Sequence, residues 1–387
     1  MALVRLIGSF GAGGVLYLTP LVFHQEAFSA SSVTQGLALA ALVGTLGRLL
    51  SGLLLDRGVN CRVPVLLACL LAAGGDSLLL GARSLGGYLQ GQVLLGLAMG
   101  LYWPAIELAV PLCAPPVPSA RGFALVRSAD AAGVAAGTLT GALLAQAGLL
   151  RGIYLVDMAA VLLLAGLIWL RPLPRAPRAV LRPPGQAVQP VWGWLRPLLP
   201  LLLLSVVATA IPVLMQVALP LDLVRGGLER DAQPEAISAL LIGLQLGLLV
   251  LLQWPVGQAL ARRPVAQGLG IGLVCFSLGT GLLALSALSE AGLGVVLLAL
   301  FPLALGEAAF LPIATEAVVE LTPAGHGGLA MALFSQCFAL SALVAPVVTG
   351  MLLDSQRHGV VLWLLTSLCC AACLLLLPAI SRRAHRA

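Results

Sequence analysis

Lysine is missing from the 387-residue chain, whose 21 basic residues are all arginine. Charge of either sign is scarce, at 9% of residues against 60% apolar, whereas a soluble domain carries about a quarter charged residues. Mean hydropathy is +1.05. This shortage excludes a water-soluble globular protein, and no polar stretch is long enough for a separate soluble catalytic domain. Without lysine there is no G-x-x-x-x-G-K-[ST] phosphate loop, which excludes an ATP-driven pump of that type. The chain also lacks H-E-x-x-H, G-x-S-x-G and paired C-x-x-C motifs; Cys370-x-x-Cys373 stands alone in an apolar run. Cys369, Cys370 and Cys373 have no His or carboxylate beside them and read as packed apolar thiols, not metal ligands. The sequence therefore predicts no enzyme, no catalytic residue, no cofactor and no metal. Aromatic residues, at 5%, argue against a broad drug-binding pocket.

What is present is long, continuous apolar runs. Alternation is absent, which argues against a transmembrane β-barrel. A membrane-crossing helix needs about 20 apolar residues. The runs predict an all-α polytopic membrane protein with spans over 4–24, 33–55, 63–82, 87–111, 122–146, 152–170, 197–221, 235–257, 265–287, 292–316, 328–352 and 359–380. The first run follows Met1–Arg5 without a convincing cleavage site, so it reads as the first helix and not a signal peptide. A Pro- and Arg-rich connection, 171–196, reads as an extended linker between six-helix bundles over 1–170 and 197–387.

Arginine asymmetry sets the expected orientation. With a cytoplasmic N-terminus, one side receives Arg5, Arg57, Arg62, Arg121, Arg171, Arg175, Arg178, Arg182, Arg196, Arg262, Arg263, Arg382, Arg383 and Arg386. The other receives Arg83, Arg151, Arg225, Arg230 and Arg357; Arg48 and Arg127 are intramembrane. Both termini and the linker are expected in the cytoplasm. The +6 net charge follows from this topology and calls for no nucleic acid.

The two halves repeat. Gly133, Gly137 and Gly141 recur every four residues in the fifth span, as Ser341, Ala345 and Thr349 do in the eleventh, each 208 positions later; Pro104 and Pro312 share that offset. Small residues at this spacing form a face on which helices approach closely in lipid. Parallel repeats of this plan imply an axis along the membrane normal, with substrate held between repeats that rock against one another.

On these features the chain resembles the major facilitator superfamily of secondary transporters over essentially its whole length. The family's signature after the second helix, G-x-L-a-D-R-x-G-R-K, is matched at Gly52, Leu54, Asp56 and Arg57. It departs at Val59, Asn60 and Cys61, with Arg62 supplying a positive charge one position late. Pro312, Glu320-Leu-Thr-Pro323, Gly328, Ala330 and Gly350-Met-Leu-Leu-Asp354 add to the resemblance. The resemblance implies a conformational latch at Gly52, Asp56 and Arg57. Gln92 stands where proton-coupled members and exporters often carry Arg in the fourth helix, and the fifth helix lacks the antiporters' Gly-Pro. Drug/proton antiport is therefore not the expected reading.

Charged side chains at membrane depth cost about 2.5–3.5 kcal/mol each on insertion scales, so they are paired or line a cavity. Arg48, Glu107, Arg127, Asp130, Glu307 and Glu316 are the candidate substrate-binding or coupling residues, with Tyr17 and Gln216 as polar candidates. Glu107 and Arg127 sit on consecutive antiparallel helices in position to pair, and Arg127 and Asp130 share a helix face. Three readings stay open. Arg48 and Arg127 bind an anionic or polyhydroxylated solute while Glu307 or Glu316 carries a proton; the charges form a latch that breaks during rocking; or they form a fixed neutral network. Asp76 is expected to face the bundle and Asp157 to lie near the outer surface. Trp103 is a candidate for stacking or interfacial anchoring, and His24 is expected at the outer end of the first helix.

The function expected is secondary active transport of a small organic solute by alternating access, by a monomeric efflux-type permease of the bacterial inner membrane, with protons as a candidate coupling ion. The alternative is a non-transporting membrane assembly factor of the same fold, handling pigment or lipid.

Overall fold

The computed structural model describes all residues except 27, 29, 114–118, 176–190, 324–325 and 385–387. Twelve long helices follow in order: α1 (Ala2–Gln25), α2 (Ala30–Asp56), α3 (Arg62–Gly81), α4 (Leu85–Cys113), α5 (Ser119–Gln146), α6 (Gly152–Leu170), α7 (Val191–Arg225), α8 (Glu235–Leu260), α9 (Val265–Ser286), α10 (Gly292–Leu321), α11 (Gly327–Gln356) and α12 (Val360–Cys373). A 3-10 turn, Leu374–Leu376, joins α12 to the short α13 (Leu377–Ala384). Pro378 has no N–H for the carbonyl of Leu374, and this breaks the ladder there.

Among the described residues, eleven spans are long and apolar enough to cross a membrane. The one helix of that length not among them is α5, where Arg121, Arg127, Asp130 and several hydroxyl residues dilute a 28-residue helix. Outward-facing side chains such as Leu70, Leu251 and Leu375 are 70%, 73% and 82% exposed. Such surfaces are stable against lipid and not against water. α7 starts six residues before the expected 197, taking in part of the expected linker. Most of that linker lies outside the described residues; its described start is held by Cys61 N–H donating to the Pro174 carbonyl (3.1 Å).

The chain forms two compact units. Unit 1 comprises Met1–Ala187 and Pro323–Gln336, and unit 2 comprises Val188–Thr322 and Cys337–Ala387. In unit 1, α1 packs on α5 and α6, α2 on α4, and α3 on α4 and α6. In unit 2, α9 packs on α10 and α12, and α8 on α10.

The small-residue triads have a physical basis in both units. A Cβ on Gly133 would come within 2.6 Å of the Leu6 carbonyl oxygen on α1, and one on Gly137 would overlap the Phe10 carbonyl oxygen. In unit 2, Ser341 Oγ donates to the Val206 carbonyl of α7 (2.8 Å) and shares a hydrogen bond with Thr209 (2.9 Å). Glycine against backbone in one unit becomes serine against backbone in the other.

Candidate functional site

Four charged residues of unit 1 meet at α5. Arg127 donates to Glu107 of α4 at 2.8 Å, with both side chains about nine-tenths buried. Asp130, one turn on, lies 3.9 Å from Arg127. Asp130 also pairs with Arg5 of α1 at 3.0 Å and accepts from Ser9 Oγ at 2.5 Å. Two cations and two anions thus neutralise one another across α1, α4 and α5, where an uncompensated charge would be costly.

Arg5 is the member that the sequence reading left out of the network. The arginine count assigns it to the cytoplasmic side and not to the intramembrane set, yet it is 2% exposed. Its guanidinium lies 3.5 Å from the centroid of Trp103 and 5.7 Å from that of Tyr102. Its position near the N-terminus concealed it, because arginine close to a span's end usually reaches water. The Trp103 ring covers Arg5, with Arg127 at 5.7 Å, a contact the sequence reading did not anticipate. Discounting Arg5 leaves 13 arginines against 5 in the topology count, so the asymmetry does not depend on it.

Arg48, on α2, differs from these. Its Nε donates to Ser335 Oγ of α11 at 2.9 Å, within unit 1. Its Nη1 is buried without a hydrogen-bond partner. Among the described residues it forms no ion pair, and Glu107 acts on it only electrostatically. Gln336, the next residue, donates to the Thr45 carbonyl (2.9 Å), fixing the two helices around that guanidinium.

The other candidates are spread over both units. Tyr17 lies on α1, half-buried; Gln216 lies on α7, exposed; Glu307 and Glu316 lie on α10, half-buried. His24 lies on α1, and its side chain is outside the described residues.

The loop after α2 is built around α11. Asp56 Oδ1 accepts from Gly328 N–H (2.8 Å) and Oδ2 from Leu329 N–H (3.2 Å), satisfying two free donors at a helix start. A Cβ on Gly52 would lie 2.8 Å from that of Ala332 and 2.9 Å from the Gly328 carbonyl oxygen, so glycine sets the approach. Arg57 is exposed and, among the described residues, forms no ion pair. The departure at Val59 has a local explanation. Gly58 takes the left-handed conformation (φ 77°). Its N–H bonds Leu55 O and that of Val59 bonds Leu54 O, which is a Schellman ending. The turn glycine is therefore present one position early. Asn60 Oδ1 then accepts from Arg62 N–H (2.9 Å) to start α3, and the Arg62 guanidinium lies 6.0 Å from the Trp169 ring centroid.

Two acids were misread or missed. Asp157 was expected near the outer surface but is 5% exposed, against α1 and Asp76. The register of α6 turns it inward. Asp222, on α7, is fully buried and accepts from Gly359 N–H (2.7 Å), Trp363 Nε1 (3.1 Å) and Arg230 (3.0 Å). It closes unit 2 at the ends of α7 and α12. The signal for it was an acid inside an apolar run ahead of Arg225 and Arg230.

Comparisons with known proteins agree with this architecture. No match is found among curated protein sequences. Among solved structures, a bacterial homologue of the iron transporter ferroportin in its outward-facing state superposes with a TM-score of 0.77 at 16% identity, covering 99% of this chain and 98% of that one. The Escherichia coli fucose:proton symporter gives 0.75 at 14%, covering 98% of each. The human organic anion transporter MFSD10 gives 0.73 at 16%, covering 97% of each. At such identities these likenesses show the fold alone. The sequence model of the Major Facilitator Superfamily matches residues 1–267, more than half of the chain, and the chain belongs to that superfamily.

Proposed function

We propose that the chain is a secondary active transporter that moves a small organic anion by alternating access, with the Arg48 guanidinium as the group that recognises it. The observation carrying this reading is the contrast among the arginines of unit 1. Arg5 and Arg127 are matched by Asp130 and Glu107, whereas Arg48 is held by a neutral hydroxyl and forms no ion pair among the described residues. A carboxylate or phosphate oxygen fits that geometry, because guanidinium binds such groups through directed, charge-assisted hydrogen bonds. The Arg5–Asp130–Arg127–Glu107 set is read as a structural or latching network around that position. Glu307 and Glu316 are the proposed proton carriers, and Asp56 with Gly52 forms the latch on α11. In this reading the six-helix bundles over 1–170 and 197–387 alternate, both termini are cytoplasmic, and the chain acts as a monomer in the bacterial inner membrane. Export is the direction proposed.

The test begins with thermal shift of the detergent-purified protein against organic acids, sugars, amino acids and cationic compounds at two pH values. A bound ligand raises the melting temperature by mass action. Organic acids are expected to stabilise the wild type and not Arg48→Ala. Flux of the stabilising acid is then measured in both directions in proteoliposomes, where Arg48→Ala should lose at least ~10-fold of the rate, about 1.4 kcal/mol. Wild-type flux in that variant overturns the assignment of Arg48. A co-purifying protein or pigment with no ligand and no flux would favour the assembly-factor alternative.

A further inference from the structure

Away from the α1–α4–α5 network, α3 and α6 bring two carboxyl groups together. Asp76 is fully buried and Asp157 is 5% exposed. The two side chains are within hydrogen-bonding reach of each other. Neither oxygen of Asp76, nor Oδ1 of Asp157, receives a hydrogen bond from any other group among the described residues. α1 closes the site with Gly11, where a Cβ would overlap Asp157 Oδ1 and come within 2.8 Å of the Ala160 Cβ.

The ionisable groups around the pair supply no counter-charge. Cys69 of α3 and Tyr154 of α6 are within electrostatic range. On α1, Arg5 is engaged by Asp130; on α4 and α5, Glu107 and Arg127 engage each other. No arginine acts on either carboxyl. Two carboxylates in contact in an apolar interior repel, and each leaves lone pairs without donors. The contact is a hydrogen bond only when one of the two carries a proton.

Unit 2 offers an internal comparison. Its corresponding helix pair, α9 and α12, is bridged by Ser277 and Ser367, whose hydroxyls lie 3.2 Å apart and each bond the other residue's carbonyl (3.1 and 2.7 Å). Neutral hydroxyls suffice to join such helices. Acids at the α3–α6 interface add a protonation equilibrium that the serines lack.

We propose that Asp76 and Asp157 form a proton-binding site, separate from the Arg5–Glu107 network, in which one proton is shared between the two carboxyl groups. Proton loss places two like charges across the α3–α6 contact, and α6 also bears on α1 at Gly11. α1 in turn carries Arg5 and Ser9 to Asp130. The site thus has a mechanical route to the charge network without sharing a residue with it.

Infrared difference spectroscopy of the purified full chain, titrated with acid and base, tests this. The wild type should show a carboxylic-acid C=O band that disappears as pH rises and that is lost in Asp76→Asn/Asp157→Asn. If the double variant does not fold, Asp76→Asn and Asp157→Asn taken singly must each alter that band. Identical bands in wild type and variants overturn the proposal. So does thermal stabilisation of the wild type by Na+ or Li+ at fixed pH that the variants lose, since that outcome makes the pair a metal-cation site.

Discussion

Asp130 holds the network of unit 1 together, and replacing it gives the most exacting test of how that network is built. Four charges sum to zero: Arg5 and Arg127 against Glu107 and Asp130. Asp130→Asn keeps the shape but leaves one positive charge in excess beside Trp103. Removing one partner of a buried pair costs about 3–5 kcal/mol. The Asp130 side chain is 20% exposed and that of Arg5 2%, so water softens the loss on the carboxylate side and a cost of about 3 kcal/mol is expected. Arg5→Met removes the other partner and the contact with Trp103 at 3.5 Å, the latter contributing about 0.5–2 kcal/mol. The double variant restores neutrality through Arg127 and Glu107. Its cost should therefore fall short of the sum of the singles by about 2 kcal/mol, within the range seen for directly coupled residues. The assay is reversible denaturant unfolding in mixed micelles, followed by the fluorescence of the six tryptophans. Additivity of the two single changes within about 0.5 kcal/mol would refute the pairing.

Three further predictions use the same preparation. Asp56→Ala should cost about 0.5–2 kcal/mol by uncapping α11, and Asp56→Asn less, since one acceptor remains for Gly328 N–H; equal losses would count against a capping role. Gly137→Ala should destabilise by about 1–3 kcal/mol, because a Cβ there overlaps the Phe10 carbonyl oxygen; Gly166→Ala, with nothing within 4 Å, should be neutral or stabilising by about 0.4–1 kcal/mol. A water-soluble maleimide should label Cys113, which is exposed, and spare Cys61, which is fully buried with its thiol pushed up to about 12 by burial. Labelling of Cys113 from the periplasmic side of intact cells would reverse the proposed orientation.

The chain's own residues account for the helices directly. In lipid every backbone polar group must be satisfied within its segment, so an apolar run of sufficient length has one stable form. The spans read from sequence therefore fall within a few residues of the observed helices, apart from the start of α7 and the break before Pro378. The triads Gly133–Gly141 and Ser341–Thr349 were legible for a related reason. Close approach of two helices requires small residues at a fixed spacing, and that requirement repeats with the fold. Glu107 and Arg127 were legible as partners because consecutive antiparallel helices bring equal depths together.

Sequence alone thus determined that the chain is a twelve-helix membrane protein in two repeats, and picked out several of the acids and arginines within its apolar helices. Tertiary structure decided the partners. Arg5 turned from a terminal charge into a buried partner of Asp130, Trp103 became its cover, and Asp157 turned inward to Asp76. The glycine thought missing at Val59 was found at Gly58, in the left-handed position. The physical reason is common to the side-chain cases. Depth along a helix follows from counting residues at about 1.5 Å each. The direction a side chain faces depends on the rotation and tilt of its helix, and packing against neighbouring helices sets those.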